Sequence, residues 1–267
     1  MPLYEFGDIM KNIKKPSKNK GIIAIAVMAA LLVPSLMTAC GVSAEASDGF
    51  GWFFNVIVQL SDGMLASLEL FALTLLFSMP LGLLICFARR SRFKIVELIA
   101  KFYISIMRGT PLMLQLLVVY FGPYFVFKVP LSTEYRFYAA IIGFSLNYAA
   151  YFAEIYRAGI EAVPGGQYEA AKVLGYTRRQ TFMKIVFPQM VRHILPPVTN
   201  EVITLVKDTS LAFAIAFVEM FTLAKQISAS ESNIMPLFVA GLFYYIFNLV
   251  VSFVMGQIEK KMNYYSA

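Results

Sequence analysis

The strongest constraint on the fold is a series of apolar stretches separated by polar segments. Six stretches are found: Gly21–Ala39, Met64–Ala88, Thr110–Phe127, Phe137–Ala153, Ile194–Val218 and Pro236–Met255. A helix needs about 20 mostly apolar residues to cross the hydrocarbon core of a bilayer. Because lipid offers the backbone no hydrogen-bond partner, an apolar segment of this kind spans it as a helix. The sequence therefore predicts an all-α integral membrane protein.

Composition and charge support the same class. Hydrophobic residues make up 59% of the chain and charged residues 15%, with a mean hydropathy of +0.67, whereas a soluble domain is about half apolar and about a quarter charged. The net charge of +7 does not indicate nucleic-acid binding, because the basic residues lie between apolar stretches and form no single stripe. If the first stretch starts in the cytoplasm, most of the 23 Lys and Arg fall on the inner side, as the positive-inside rule requires.

The N-terminal 49 residues are predicted to form a segment distinct from a single membrane domain over residues 50–267. Basic residues precede its apolar core, and Leu36–Gly41 resembles the cleavage site of a lipoprotein signal, with Cys40 as its cysteine; Ala44–Ala46 is a second possible cleavage point. The alternative is an uncleaved helix kinked at Pro34. Both interpretations leave the orientation of the other five stretches unchanged.

A polar segment rich in small residues separates the fourth apolar stretch from the fifth. Residues 167–183 are predicted to form a short helix at the inner surface, and Gly175 suits a helix C-cap or a close backbone approach. Its small apolar patch consists of Ala170, Ala171, Val173 and Leu174. The helical pattern is equally consistent with an amphipathic helix that rests on lipid headgroups.

This segment resembles the EAA loop of ABC-importer permeases. The resemblance rests on Glu169, Ala170, Ala171, Gly175, Ile185 and Pro188. The family pattern ends in Ile-x-Leu-Pro, and Phe187 is a conservative replacement for the leucine. Three further runs are similar to the polar amino-acid uptake subfamily: Arg108–Leu112, Glu154–Ile160 and Leu205–Leu211. The likeness extends from about residue 52 to the C-terminus.

The resemblance implies the transmembrane domain of a type I importer, with five conserved helices after the N-terminal hydrophobic segment, in a bacterial cell membrane. It also implies a second permease subunit, identical or related, cytoplasmic ABC ATPases docked on the EAA loop, and an extracellular substrate-binding protein that delivers an amino acid. The chain contains no Gly-x-x-x-x-Gly-Lys-[Ser/Thr] phosphate loop. ATP hydrolysis is therefore expected in the partner, and no catalytic residue, cofactor or metal site is predicted here.

Ionisable residues within the fifth apolar stretch are candidates for a substrate path, because each costs a few kcal/mol at the bilayer centre. Glu201, Thr204 and Asp208 recur at i, i+3 and i+7 and share one helical face, with Lys207 beside it. Lys207 and Asp208 also divide the stretch into two halves, each too short to cross alone. This predicts a tilted or broken helix that lines a water-filled path.

A zwitterionic amino acid needs a cation for its carboxylate and an anion for its ammonium, and Lys207 with Asp208 or Glu201 meets that need. The alternative places Lys207 and Asp208 at the outer interface or against a neighbouring subunit. Asn147 and Tyr148 are predicted either to face the path or to pack helices. Glu154 and Arg157 are predicted to form a structural ion pair at the inner end.

Two other functional classes remain open from the sequence. One is a secondary transporter or channel that needs no ATPase, although such proteins are typically longer and built from inverted repeats. The other is a membrane scaffold whose loop recruits a partner without moving a solute.

Overall fold

The computed structural model of the chain describes residues 49–262, and all regular secondary structure in this range is helical. The predicted signal or additional helix lies outside the described residues, apart from its last position. The α-helices are α1 (Gly49–Arg89), α2 (Lys94–Gly109), α3 (Leu112–Phe127), α4 (Tyr135–Glu161), α5 (Gly165–Val173), α6 (Arg178–Thr181), α7 (Phe187–Asp208), α8 (Met220–Ser230) and α9 (Met235–Met262). A π-helical turn at Phe182–Val186 precedes α7, and a 3₁₀ segment at Thr209–Ile215 follows it.

Two helices of the described region, α1 and α9, are long and apolar enough to cross a membrane unaided. At 1.5 Å per residue, the 41 residues of α1 extend roughly 60 Å, about twice the hydrocarbon thickness. Its predicted span, Met64–Ala88, is therefore only the inner part of the helix. The outer part packs against α8, where the Trp52 indole N–H donates to Glu231 Oε2 at 2.7 Å.

Helices α2 and α3 pass the same test only as a pair bent by 111°, which is the geometry of a broken span or a re-entrant loop. The predicted span over Thr110–Phe127 corresponds to α3. Thr110 is the C-cap of α2, and Pro111 is the N-cap of α3. Helix α2 was not predicted, since its basic residues were interpreted only as a topology signal.

Helix α4 lies at the centre of the fold and is buried along most of its length. Small residues let neighbouring helices approach it closely, as expected where lipid provides no hydrophobic drive between helices. A Cβ at Gly82 of α1 would lie 2.8 Å from Phe152 Cβ of α4, and one at Gly159 of α4 would lie 2.1 Å from Ile194 Cγ2 of α7. The α1–α4–α7 packing therefore depends on the absence of these side chains.

The fifth apolar stretch is not one straight helix, as the Lys207–Asp208 interruption predicts. Helix α7 ends at Asp208, the chain tightens into the 3₁₀ segment, and Ala216 adopts a left-handed conformation with φ of 53°. The chain then turns into α8. The predicted break is confirmed, and it places the carboxylates of α7 beside the middle of α4.

Candidate functional sites

A cavity of about 230 Å³ lies where α7 ends and α2 meets α3. Five of the six predicted path residues line it: Asn147, Tyr148, Glu201, Thr204 and Asp208. Thr110, Leu112 and Tyr151 complete the lining. Lys207 does not line this cavity. It directly precedes Asp208, so its side chain is rotated by about 100° around the helix axis relative to that of Asp208, and it is exposed.

Two carboxylates give this cavity its electrostatic character. Tyr148 Oη donates to Asp208 Oδ2 at 2.7 Å, while Glu201 lies on the same face of α7. No basic residue is among the described residues that line the cavity. Arg108 lies nearby, with its guanidinium carbon 5.4 Å from the centre of the Tyr151 ring. An occupant therefore meets acceptor oxygens on α7 and one cation at the edge.

A network of amides holds the bend between α2 and α3 next to the cavity. Gln115 Nε2 donates to Met107 O at 2.9 Å and to Thr110 Oγ1 at 2.8 Å. Asn147 Nδ2 donates to Gln115 Oε1 at 2.9 Å and to Met107 O at 3.1 Å. Asn147 thus both lines the cavity and packs helices. Gln115 was missed from the sequence, although a glutamine within an apolar stretch is itself a signal.

Glu154 ties three helices together at their inner ends. The predicted pair with Arg157 is confirmed, with Nη2 2.9 Å from Glu154 Oε2. Two further arginines join it: Arg89 Nε lies 3.1 Å from Oε1, and Arg108 Nη1 lies 3.8 Å from Oε2. This cluster fixes Arg108, and therefore the edge of the cavity, relative to the loop that follows α4.

The segment that resembles the EAA loop forms two helices, whereas the sequence predicted one. Helix α5 ends at Val173, and Gly175 has a φ of 75°, which only glycine adopts without strain. The Gly175 N–H donates to Lys172 O at 3.1 Å, and the Tyr176 N–H donates to Ala171 O at 3.0 Å. These two bonds are a Schellman C-cap. The predicted capping role of Gly175 is confirmed, and the prediction of a continuous helix over 167–183 was wrong.

The second helix of the loop, α6, starts at a capping box. Thr177 Oγ1 accepts from the Gln180 N–H at 3.3 Å, and Gln180 Oε1 accepts from the Thr177 N–H at 2.8 Å. The π-helical turn that holds Ile185 connects α6 to α7, in which Pro188 occupies the first turn. A proline is tolerated there because those N–H groups have no partner within the helix.

The predicted apolar patch of the loop is divided between two sides of α5. Val173 is 87% exposed and Leu174 is 72% exposed, whereas Ala171 is fully buried against the rest of the protein. Glu169 and Ala170 are also exposed. Ala171 therefore faces the rest of the protein, and the exposed side of this segment carries the two larger aliphatic side chains.

A third acidic site, not predicted from the sequence, lies where α8 begins. Glu219 is completely buried and caps α8, accepting from the N–H groups of Phe221 at 2.7 Å and Thr222 at 2.8 Å. Tyr244 Oη at 2.9 Å and Ser67 Oγ at 3.4 Å also donate to it. Glu219 therefore joins α1, α8 and α9.

Comparison with known proteins places this architecture in a family. Residues 76–264 match the model of the binding-protein-dependent transport system inner membrane component, and the chain belongs to this family. It is 35% identical over 211 residues to a putative glutamine transport system permease protein of Rickettsia felis, covering 79% of this chain and 95% of the relative. It is 36% identical over 202 residues to an arginine transport system permease protein of Bacillus subtilis, covering 75% and 91%.

A solved structure agrees with the sequence relatives. The chain superposes on a crystal structure of an amino acid ABC transporter with histidines, with a TM-score of 0.73 and 30% identity, covering 81% of this chain and all of the other. The fold is the transmembrane domain of a type I importer, and the protein is a multi-pass protein of the bacterial inner membrane. The resemblance to amino-acid ABC permeases is confirmed, and a secondary transporter or channel is not favoured.

Proposed function

We propose that the chain is the permease subunit of an ATP-driven importer and that the cavity at the end of α7 is its amino-acid path. The observation that carries this proposal is the convergence of Glu201, Thr204 and Asp208 with Asn147 and Tyr148 around one cavity of about 230 Å³. The residues come from α4 and α7, which are far apart in sequence. In this proposal residues 50–267 form the permease domain.

The charges of the cavity favour an amino acid with a cationic side chain. Glu201 and Asp208 supply acceptors for two positively charged groups, the α-ammonium and the side chain. The nearby Arg108 guanidinium is the group placed to meet the carboxylate. Lys207, an alternative partner for that carboxylate, is omitted from the path because it does not line the cavity.

Uptake by the assembled importer in vesicles tests the path. Glu201→Gln and Asp208→Asn each remove one charge, and each is expected to raise the apparent KM by about 10- to 100-fold, since a hydrogen bond to a charged group contributes about 1.5–3 kcal/mol. Lys207→Gln is the matched control, because it removes a neighbouring charge outside the cavity, and its KM is expected to stay within about twofold. Unchanged KM in both acidic variants contradicts the proposed path.

We further propose that α5 and the turn after it dock a cytoplasmic ATPase, while a second permease subunit and an external binding protein complete the assembly. Val173 and Leu174 support this, because such exposed aliphatic side chains on a water-facing loop indicate a partner surface. In this proposal Glu169, Ala170, Gly175, Ile185 and Pro188 shape the docking element, and Ala171 anchors it from beneath. ATP binding by the partner then biases which side of the path is open.

Crosslinking tests the docking element directly. A cysteine at Leu174 is expected to crosslink to the ATPase, whereas one at Val129, which is also exposed but follows α3, is not. Gly175→Asp or Glu169→Lys is expected to abolish uptake while membrane insertion stays normal. Normal uptake in both variants, or no ATPase captured through Leu174, rejects the coupling role.

A further inference from the structure

A second and larger cavity, of about 710 Å³, lies on the inner face between the end of α1, the end of α4 and the loop of α5 and α6. Three basic side chains line it: Arg90, Lys172 and Arg178. The aromatic side chains of Phe87, Tyr168 and Tyr176 form much of the remaining wall. This is a concave surface with cations and aromatic rings, and the proposed transport path does not use it.

The positive charge of this cavity is only slightly compensated. Within residues 49–262 no Asp or Glu lines it. Arg90 Nη1 lies 3.7 Å from Glu161 Oε1, and neither Lys172 nor Arg178 forms an ion pair in the described part of the chain. Three cations held on one concave surface repel one another, and an anion placed among them relieves that repulsion.

An apolar track on α1 leads into the cavity. Leu76, Leu83 and Phe87 recur at i, i+7 and i+11, so they lie on one face of the helix. All three are exposed in this chain, Leu76 at 62% and Phe87 at 49%, in a helix that crosses the membrane. Phe87 belongs both to this track and to the cavity wall. The track therefore connects the hydrocarbon region with the three cations.

We propose that this cavity binds the headgroup of an anionic phospholipid from the inner leaflet. The phosphodiester oxygens accept hydrogen bonds from Arg90, Lys172 and Arg178, and an acyl chain lies along Leu76, Leu83 and Phe87. A free phosphate satisfies the cations but leaves the track unused, which is why the occupant is a lipid. Because Arg90 follows α1 while Lys172 belongs to α5, one bound lipid bridges the membrane span and the loop.

Native mass spectrometry of the full-length chain in detergent tests this site, with phosphatidylglycerol and phosphatidylcholine as probes. The wild-type chain is expected to retain one phosphatidylglycerol at least about tenfold more strongly than phosphatidylcholine. The double variant Arg90→Gln/Arg178→Gln is expected to lose this preference, since about 1.4 kcal/mol corresponds to each tenfold change. Arg179→Gln is the matched control, because Arg179 is adjacent in sequence but does not line the cavity.

Several outcomes overturn the proposal. Equal retention of the two lipids by the wild-type chain contradicts it. If Arg179→Gln loses the preference for phosphatidylglycerol as fully as the double variant does, the preference is a general charge effect, and the proposal is again contradicted. Displacement of the lipid by equimolar inorganic phosphate assigns the site to a soluble anion, and displacement by the ATPase assigns it to the protein partner. If the double variant does not fold, Lys172→Gln alone provides the comparison. Lipid retention is measured without transport. A negative result for the lipid site therefore says nothing against the proposed amino-acid path, and a negative uptake result says nothing against the lipid site.

Discussion

The acidic site at Glu219 and the one at Glu201 and Asp208 differ in how completely their carboxylate oxygens are satisfied. Glu219 accepts hydrogen bonds from two backbone N–H groups, from the Thr222 hydroxyl at 2.9 Å, and from Tyr244 and Ser67. Asp208 accepts one side-chain hydrogen bond, from Tyr148, and its neighbour Glu201 lines an open cavity. Both sites hold carboxyl groups within the membrane domain, but only one of them leaves acceptor capacity unused.

This difference distinguishes the structural acid Glu219 from the two acids that we propose to line the amino-acid path. A buried polar group is costly unless the fold itself supplies its partners. At Glu219 the fold supplies all of them, so the residue holds α1, α8 and α9 together and has little left to offer a ligand. At Glu201 and Asp208 the described residues supply one side-chain hydrogen bond, from Tyr148 to Asp208, and an ammonium group is the kind of ligand that completes the rest.

Removing the Glu219 carboxylate is expected to have the largest effect. Glu219→Ala removes the acceptor of four donors, the Phe221 and Thr222 N–H groups and the Thr222 and Tyr244 hydroxyls, whereas the Ser67 hydroxyl can still donate to Gly63 O at 3.1 Å. We expect a loss of about 3–5 kcal/mol in the free energy of unfolding. Denaturant unfolding of the purified chain in detergent measures it. Glu201→Ala is the matched control and is expected to change stability by less than about 1 kcal/mol. Equal destabilisation by the two variants contradicts the distinction drawn between these acids.

Overpacking beside Glu219 is expected to have an intermediate effect. A Cβ at Gly63 would lie 2.7 Å from the Met220 Cα, so the backbone of α8 must move. We expect Gly63→Ala to lower the free energy of unfolding by about 1–3 kcal/mol. Gly241→Ala on α9 is the control, because a Cβ there meets nothing within 4 Å. If both variants unfold alike, the α1–α8 contact is looser than its geometry indicates.

Local periodicity was enough to predict much of the cavity lining. The i, i+3, i+7 spacing placed Glu201, Thr204 and Asp208 on one face, and the charged pair predicted the end of α7, because both features are set by neighbouring residues. Lys207 was included on chemical grounds although its helical angle placed it beside that face. The helical geometry proved the better guide.

Glu219 and Gln115 were missed because their partners are distant in sequence. Ser67 and Tyr244 reach Glu219 from α1 and α9, and Asn147 reaches Gln115 from α4. No periodic pattern connects positions that only the tertiary fold brings together. The burial of Ala171 on the inner side of α5 was missed for a similar reason. A short helix with apolar residues on two sides does not reveal which side packs against the rest of the protein.

The smallest expected effect comes from the single side-chain hydrogen bond that Asp208 receives. Tyr148→Phe removes the hydroxyl 2.7 Å from Asp208 Oδ2 and leaves the aromatic packing in place. We expect the apparent KM for uptake to rise about fivefold, because a hydrogen bond that holds the carboxylate toward the cavity contributes about 1 kcal/mol. Tyr245→Phe, at an exposed position on α9, is the control and is expected to leave KM unchanged.

The direction of that change distinguishes two roles for Tyr148. If the hydroxyl positions Asp208 for an ammonium group, its loss weakens binding, and the free energy of unfolding changes little because the carboxylate stays beside a polar cavity. If the hydroxyl instead competes with the ammonium group for Asp208, its loss lowers KM. A lower KM in Tyr148→Phe, combined with a higher KM in Asp208→Asn, indicates the second role. The Tyr148 hydroxyl then donates to Asp208 only while no substrate is bound, and the ammonium group of the substrate replaces it.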